Sequence, residues 1–471
     1  MLAHFFSSIF NQNSNLVFMK KIVFLSVSFF SCMVVRAQLS PAITSWLQNT
    51  TITGRHYVSG NSTAITDASL IANVQQVQYS SSSVYITTQG IPAYVTGPFL
   101  DGNPSQAANQ NAIFKFPLAP AQNTGSLSPT TGGNIGVFIN GVAMFDYRDG
   151  VSWKNSTNAL AGGPLGGNGD GVWNRDAVVA ERNGFDCSKG HPAMGNYHHH
   201  QNPSAFDLDV NVVSTVCNLY DADGLYAIDA NTHSPLIGFA YDGFPVYGAY
   251  GYKNADGTGG IVRMKSSWVL RNISTRTTLY TGATVTPGPP VNATYPLGTF
   301  REDYEYVATS AATPDYLDEH NGRFCVTPEY PNGTYCYFAT VDANWNSAYP
   351  YLVGPTFYGN KTAAKVTSVT EPTTTYTSAT GLHDNRTEVM NVAVFPNPSS
   401  ELIAVQVKDL VQESYEVALY DMAGRLVDKT YLYQGSTIVY FDTRTLYSGD
   451  YIVTLSDNSG HRITRKVSVV K

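Results

Sequence analysis

Charge is scarce in this sequence of 471 residues. Asp, Glu, Lys and Arg together supply 13%, against roughly 25% in an average soluble protein. No run of five basic residues occurs, and the formal net charge is −7. Phosphate neutralisation needs clustered Lys and Arg, so nucleic acid is excluded as a partner. Only one long apolar run is present, Ile22–Val35 near the start, and nothing after it has the 18 or so consecutive apolar residues of a membrane span. Several catalytic signatures are missing as well: Gly-x-Ser-x-Gly, the Walker loop, Gly-x-Gly-x-x-Gly opening a helix, and His-Glu-x-x-His. Their absence disfavours ATP-dependent, nicotinamide-dependent and zincin chemistry. No twelve-residue EF-hand loop organises the scattered Asp and Asn residues.

Hydrophobic residues amount to 43%, enough for a packed core, and 31 tyrosines join abundant Thr, Ser, Asn and Gly. Aromatic and β-branched residues suit pleated, half-buried surfaces. The composition therefore fits an extracellular β protein. Met19-Lys20-Lys21, the apolar run to Val35 and the small residues around Val35-Arg36-Ala37 follow the layout of a secretory signal. Residues 1–37 are read as this signal region, with the working start at Met19 and cleavage after Ala37.

From Gln38 to residue 360 the chain consists of short alternating segments broken by Gly, Pro, Asn and Asp. Val84–Thr88, Ile135–Asn140 and Leu236–Ala240 are examples, and the best short helical candidate lies near Asn174–Arg182. The expected fold class is all-β: a large sandwich or barrel-like central domain, then a small C-terminal β-sandwich over 388–471. Residues 361–387 are Thr- and Ser-rich and read as a flexible linker. Four cysteines follow the leader, an even number in an exported chain, which suggests two disulfides. The turn residues Pro331-Asn332-Gly333 favour Cys325–Cys336, leaving Cys187–Cys217 around the histidine-rich segment.

That segment carries the densest chemistry. Only ten histidines occur, yet His191, His198, His199 and His200 fall within ten residues. If Tyr197-His198-His199-His200 is a strand, His198 and His200 share one face, roughly 6.5 Å apart along it, and Tyr197 and His199 share the other. Two neutral imidazoles so placed can converge on one metal ion, zinc or copper above all. A third ligand would come from His191, His233, His320 or Asp242. Three protein ligands would leave an open catalytic position, with Asp242 or Glu319 as a general base, and four would make a structural site. The competing reading is a hydrogen-bonded polar patch without metal.

Two resemblances add to this reading. The Phe395-Pro396-Asn397-Pro398 start, the turn from Tyr420-Asp421 to Gly424-Arg425, the Leu446–Tyr451 segment and the basic end resemble the type A sorting domain of the Bacteroidota type IX secretion system. That resemblance implies engagement with the type IX machinery and a destination at the cell surface or in the medium. Residues 190–360 resemble the YHYH family, whose motif falls on Tyr197-His198-His199-His200 with His199 in place of the second Tyr. His233–Tyr247, Leu317–Arg323, Thr327–Tyr335 and Tyr349–Tyr351 continue the likeness, and Gly136–Asn140 and Phe145–Gly150 precede it. The family brings no established activity. The alternatives to a metal-binding domain are a non-catalytic module for glycans or matrix polymers, using exposed Tyr and Trp, and a structural surface-layer component.

Overall fold

The computed structural model describes residues 39–58, 64–99, 106–204, 224–226, 228–310, 312–377, 392–407, 411, 414–422, 425–456 and 462–471. The expected signal region, residues 1–37, lies outside the described residues.

Two sheets of the central region pack face to face. One has five antiparallel strands in the spatial order Ala364–Val366, Ala112–Pro117, Ser83–Thr88, Val74–Tyr79 and Thr374–Tyr376. The other has eight, in the order His191–Ala193, Asn196–His199, Ala143–Phe145, Asn134–Phe138, Leu236–Ala240, Pro245–Tyr247, Thr334–Phe338 and Gly322–Cys325. Phe116 from the first sheet meets Phe239 of the second at 6.4 Å between ring centroids, and Trp46 wedges against both at 5.7 and 5.3 Å. Aromatic residues bury large areas, so this seam anchors the two layers. Among the described residues no sheet closes on itself, so the sandwich alternative holds and the barrel-like one does not.

A smaller three-stranded sheet, Asn174–Asp176, Arg148–Lys154 and Ala159–Gly162, leads into the short helix Ala177–Glu181. The buried Asp176 caps that helix by accepting from Val179 N at 3.2 Å. Trp153, Trp173 and Phe300 form its own buried cluster.

The stretch expected to be a flexible linker behaves differently over its first half. Residues 364–366 pair with Phe114 and its neighbours, and 374–376 pair with Val77–Tyr79. Thr and Tyr are good strand formers, and the two edges of the inner three strands, Ala112–Pro117 and Val74–Tyr79, offer unpaired backbone groups for them. The rest of that stretch, 378–387, lies outside the described residues. At the C-terminal end, Val392–Phe395, Leu402–Val407 and Ile438–Asp442 form one sheet. Leu426–Leu432, Tyr415–Asp421, Gly449–Ser456 and Arg462–Val469 form a second. Their inner faces supply one core that includes Val405, Leu419, Phe441 and Val453.

The cysteine expectation is corrected. Cys325 and Cys336 are buried, unbridged thiols. In the ladder Cys325 faces Thr334 and Cys336 faces Arg323, so the two cysteines are diagonal rather than opposite. The diagonal register leaves the two thiols meeting through a side-chain hydrogen bond rather than a disulfide. Cys187 is disulfide-bonded. Its expected partner, Cys217, lies outside the described residues.

Candidate functional site

The strand Asn196–His199 sits between the edge strand His191–Ala193 and the parallel strand Ala143–Phe145. His198 is opposite His191 on one side and Ala143 on the other. Paired residues share a face, so His191, Ala143 and His198 point the same way, as does Phe145 two positions on from Ala143. The alternation read from the sequence places His200 on that face as well. Tyr197 and His199 point away from it.

The two faces do different work. On the far side Tyr197 Oη donates to Asp186 at 2.8 Å, and Tyr94 Oη meets His199 Nε2 at 2.6 Å. Asp186 also accepts from the backbone N–H groups of Gly97, Ser188 and Gly190. Burial raises its pKa to about 6 against these donors. This half of the motif ties the loop 186–190 to the strand.

On the near side ligand atoms of His191, His198 and His200 lie within 4.8 Å of one another, and all three residues are buried. His198 Nδ1 is 2.9 Å from the Asn196 carbonyl, and His200 Nδ1 is 2.5 Å from the Asp146 carbonyl. A carbonyl oxygen only accepts, so each Nδ1 carries the proton and each Nε2 presents a lone pair. Those two Nε2 atoms are 3.0 Å apart. Burial, and next the charges of His200 and His191, push the His198 pKa well below its ordinary value, which keeps that imidazole neutral.

A fourth group joins from the helix Ala177–Glu181. Glu181 Oε2 is 3.3 Å from His191 Nε2 and 3.4 Å from His200 Nε2. Burial works to raise the Glu181 pKa, but His191 and His200, in their protonated forms, would hold it well below the carboxylate range. With neutral imidazoles the Glu181 carboxylate faces two ring nitrogens as a fellow ligand atom. Phe145 stacks on His198 at 3.7 Å, and Phe185 meets His191 edge-on at 4.9 Å. Aromatic walls thus line the cluster, and the Glu181 side chain, 21% exposed, is its most open member.

The other residues singled out in the sequence lie elsewhere. His233 packs against Tyr247 and Tyr252, with Nδ1 2.7 Å from the Ser234 carbonyl. His320 is held by Thr356 and lies 3.6 Å from Glu319. Asp242 is fully buried and accepts from Tyr337 Oη at 2.6 Å and Gly359 N at 2.8 Å. None of the three belongs to the histidine cluster. Glu181 escaped the sequence reading because it lies in another element; its signal was the short helical pattern near Asn174–Arg182.

These features define an all-β protein with a buried histidine–carboxylate centre and a separate C-terminal sandwich. The chain belongs to the YHYH protein family, whose model matches residues 113–350. Residues 393–470 match the secretion system C-terminal sorting domain, so the protein is exported to the cell surface or the medium and engages the type IX machinery. No curated protein matches the chain.

Proposed function

We propose that the YHYH domain of this secreted protein binds one divalent transition-metal ion, zinc or copper, through His191, His198, His200 and Glu181. The observation that carries this reading is the pair of Nε2 lone pairs facing each other at 3.0 Å with both Nδ1 protons tied to carbonyls. Two acceptors in that position repel unless a proton or a metal ion lies between them, and the carboxylate of Glu181 beside them favours the metal ion. A tetrahedral ion with metal–nitrogen bonds of roughly 2.0–2.1 Å separates its ligand atoms by roughly 3.3–3.4 Å. The edges of 3.0, 3.3 and 3.4 Å around His198, His200, His191 and Glu181 approach that frame. The depressed basicity of His198 supports the same reading, because a ligand must be neutral. Three imidazoles and a carboxylate fill the four positions of a closed site, with the partly exposed Glu181 as the edge an incoming ligand would displace.

The test is metal content. The exported chain is incubated with Zn(II) or Cu(II), desalted and analysed by elemental mass spectrometry, beside His198→Ala and His200→Ala. The expectation is about one ion per chain in the wild type and loss of most of it in both variants. A wild-type chain that is folded by near-UV circular dichroism yet carries only trace metal would refute the proposal.

A further inference from the structure

One residue ties the histidine cluster to a second feature. Asp146 gives its backbone carbonyl to His200 Nδ1, and its buried carboxylate accepts from Arg148 Nε at 2.6 Å. Arg148 borders a cavity of about 340 Å³ whose lining also includes Arg301. Both guanidiniums flank Tyr147. Arg148 lies 5.5 Å from the centre of its ring, and Arg301 Nε donates to its hydroxyl at 3.1 Å.

Neither cation is used up by its neighbours. Arg148 spends Nε on Asp146 and Nη2 on the Thr130 carbonyl. Arg301 spends Nε on Tyr147, and its ion pair with Glu302 is long, at 3.7 Å. Glu302 is itself occupied by Asn174, which donates from its backbone N at 2.7 Å and its side-chain amide at 3.0 Å. Among the described residues, Arg148 Nη1 and Arg301 Nη2 meet no hydrogen-bond acceptor. Burial first, and the neighbouring Arg301 charge among the weaker causes, work against the Arg148 charge; Asp146 sustains it, and the net direction is upward. Two guanidiniums that border one cavity, each with N–H donors left over, offer the donors that match an oxyanion. The lining also includes the apolar Val172, Leu279 and Val285, and Glu302, whose carboxylate oxygens both accept from Asn174.

We propose that this cavity binds an organic oxyanion, a carboxylate or sulfate carried on a body the size of a sugar ring. The anionic group bridges Arg148 and Arg301, and the ring lies against the apolar side chains. The inference does not depend on the metal, although the occupant would sit one residue removed from the histidine cluster.

Titration calorimetry of the exported chain with glucuronate, glucose 6-sulfate and glucose tests it. At least one of the two anions is expected to bind with a dissociation constant below about 10 mM, and glucose is not. The responding anion identifies the group. Arg301→Gln should weaken binding by about tenfold or more, and Arg301→Lys, which keeps the charge but not the guanidinium, by less. Should Arg301→Gln fail to fold, Leu279→Trp blocks the apolar part of the cavity with both arginines intact and should give the same loss. The idea is overturned if neither anion binds, if glucose binds as well as they do, or if a folded Arg301→Gln or Leu279→Trp protein binds unchanged. Metal content measured on the same samples keeps this result separate from that of the metal proposal.

Discussion

Within the motif Tyr197-His198-His199-His200, neighbouring side chains have unrelated duties, and substitutions should separate them. Tyr197→Phe removes the hydrogen bond to the buried Asp186, which keeps its three backbone donors. The expected cost is about 1–2 kcal/mol of unfolding free energy, with metal stoichiometry unchanged. Denaturant titration alongside elemental analysis checks both halves; loss of metal without loss of stability would reverse the assignment. Glu181→Gln should have the opposite profile. It keeps the size of the side chain but removes the charge beside His191 and His200. Metal affinity should fall by roughly 10-fold to 100-fold, read by competition with a chromophoric chelator, while the melting temperature of the metal-free protein changes little. The sequence made the His198/His200 pair legible because strand alternation is local. It made His191 available as a neighbour and left Glu181 unseen. The approach of a helix carboxylate to a strand imidazole depends on how two elements pack, and no spacing rule encodes that. His233, His320 and Asp242 share the same aromatic and Gly-rich texture as the cluster, but the fold holds each among other neighbours, Ser234, Thr356 and Tyr337, away from the three clustered histidines.

Among the elements, the loop 186–190 and the strand it feeds place His191 against His198. Gly190 is required there by close approach. A Cβ at this position would lie 2.4 Å from Tyr197 Oη and 2.9 Å from His199 Cε1. Gly190→Ala should therefore cost about 1–3 kcal/mol, as overpacking of a buried site does, and should also weaken metal binding because His191 is the next residue. A thermal melt and a metal titration on one preparation show whether the two losses travel together; wild-type values in both would mean that the loop accommodates the methyl group freely. Strands were well marked by the sequence where turns bracket them: the segments Val84–Thr88 and Ile135–Asn140 overlap the strands Ser83–Thr88 and Asn134–Phe138, and Leu236–Ala240 is a strand over its whole length. The Thr-rich segment misled for a physical reason. Thr373–Thr375 has no apolar period of its own, and the strand at 374–376 exists because Val77–Tyr79 offers an edge to pair with. The cysteines misled similarly: a turn between two strands suggested opposition, while the register set Cys325 and Cys336 on a diagonal.

At the scale of the whole molecule, low surface charge is combined with carboxylates buried in the central domain, and this shapes stability against pH. Burial raises Asp242 to about 6, although Tyr337 Oη and the N–H groups of Gly359 and Phe244 favour its ionised form. Burial raises Asp176 to about 7 in the same sense, against the Tyr351 hydroxyl. In the unfolded chain such groups titrate near 3.9. A folded-state pKa above the unfolded one means that the native protein holds the proton more tightly. The stabilisation is then complete below about pH 4 and is lost as pH rises through 6 to 7. For Asp242 a shift from about 3.9 to about 6 corresponds to on the order of 3 kcal/mol. Asp242→Asn removes that titration at a site away from the histidine cluster. Denaturant midpoints at pH 5 and pH 8 should therefore fall more steeply for the wild type than for Asp242→Asn. Equal slopes would mean that the three donors keep Asp242 ionised throughout, and that its hydrogen bonds to Tyr337 and Gly359 outweigh its burial.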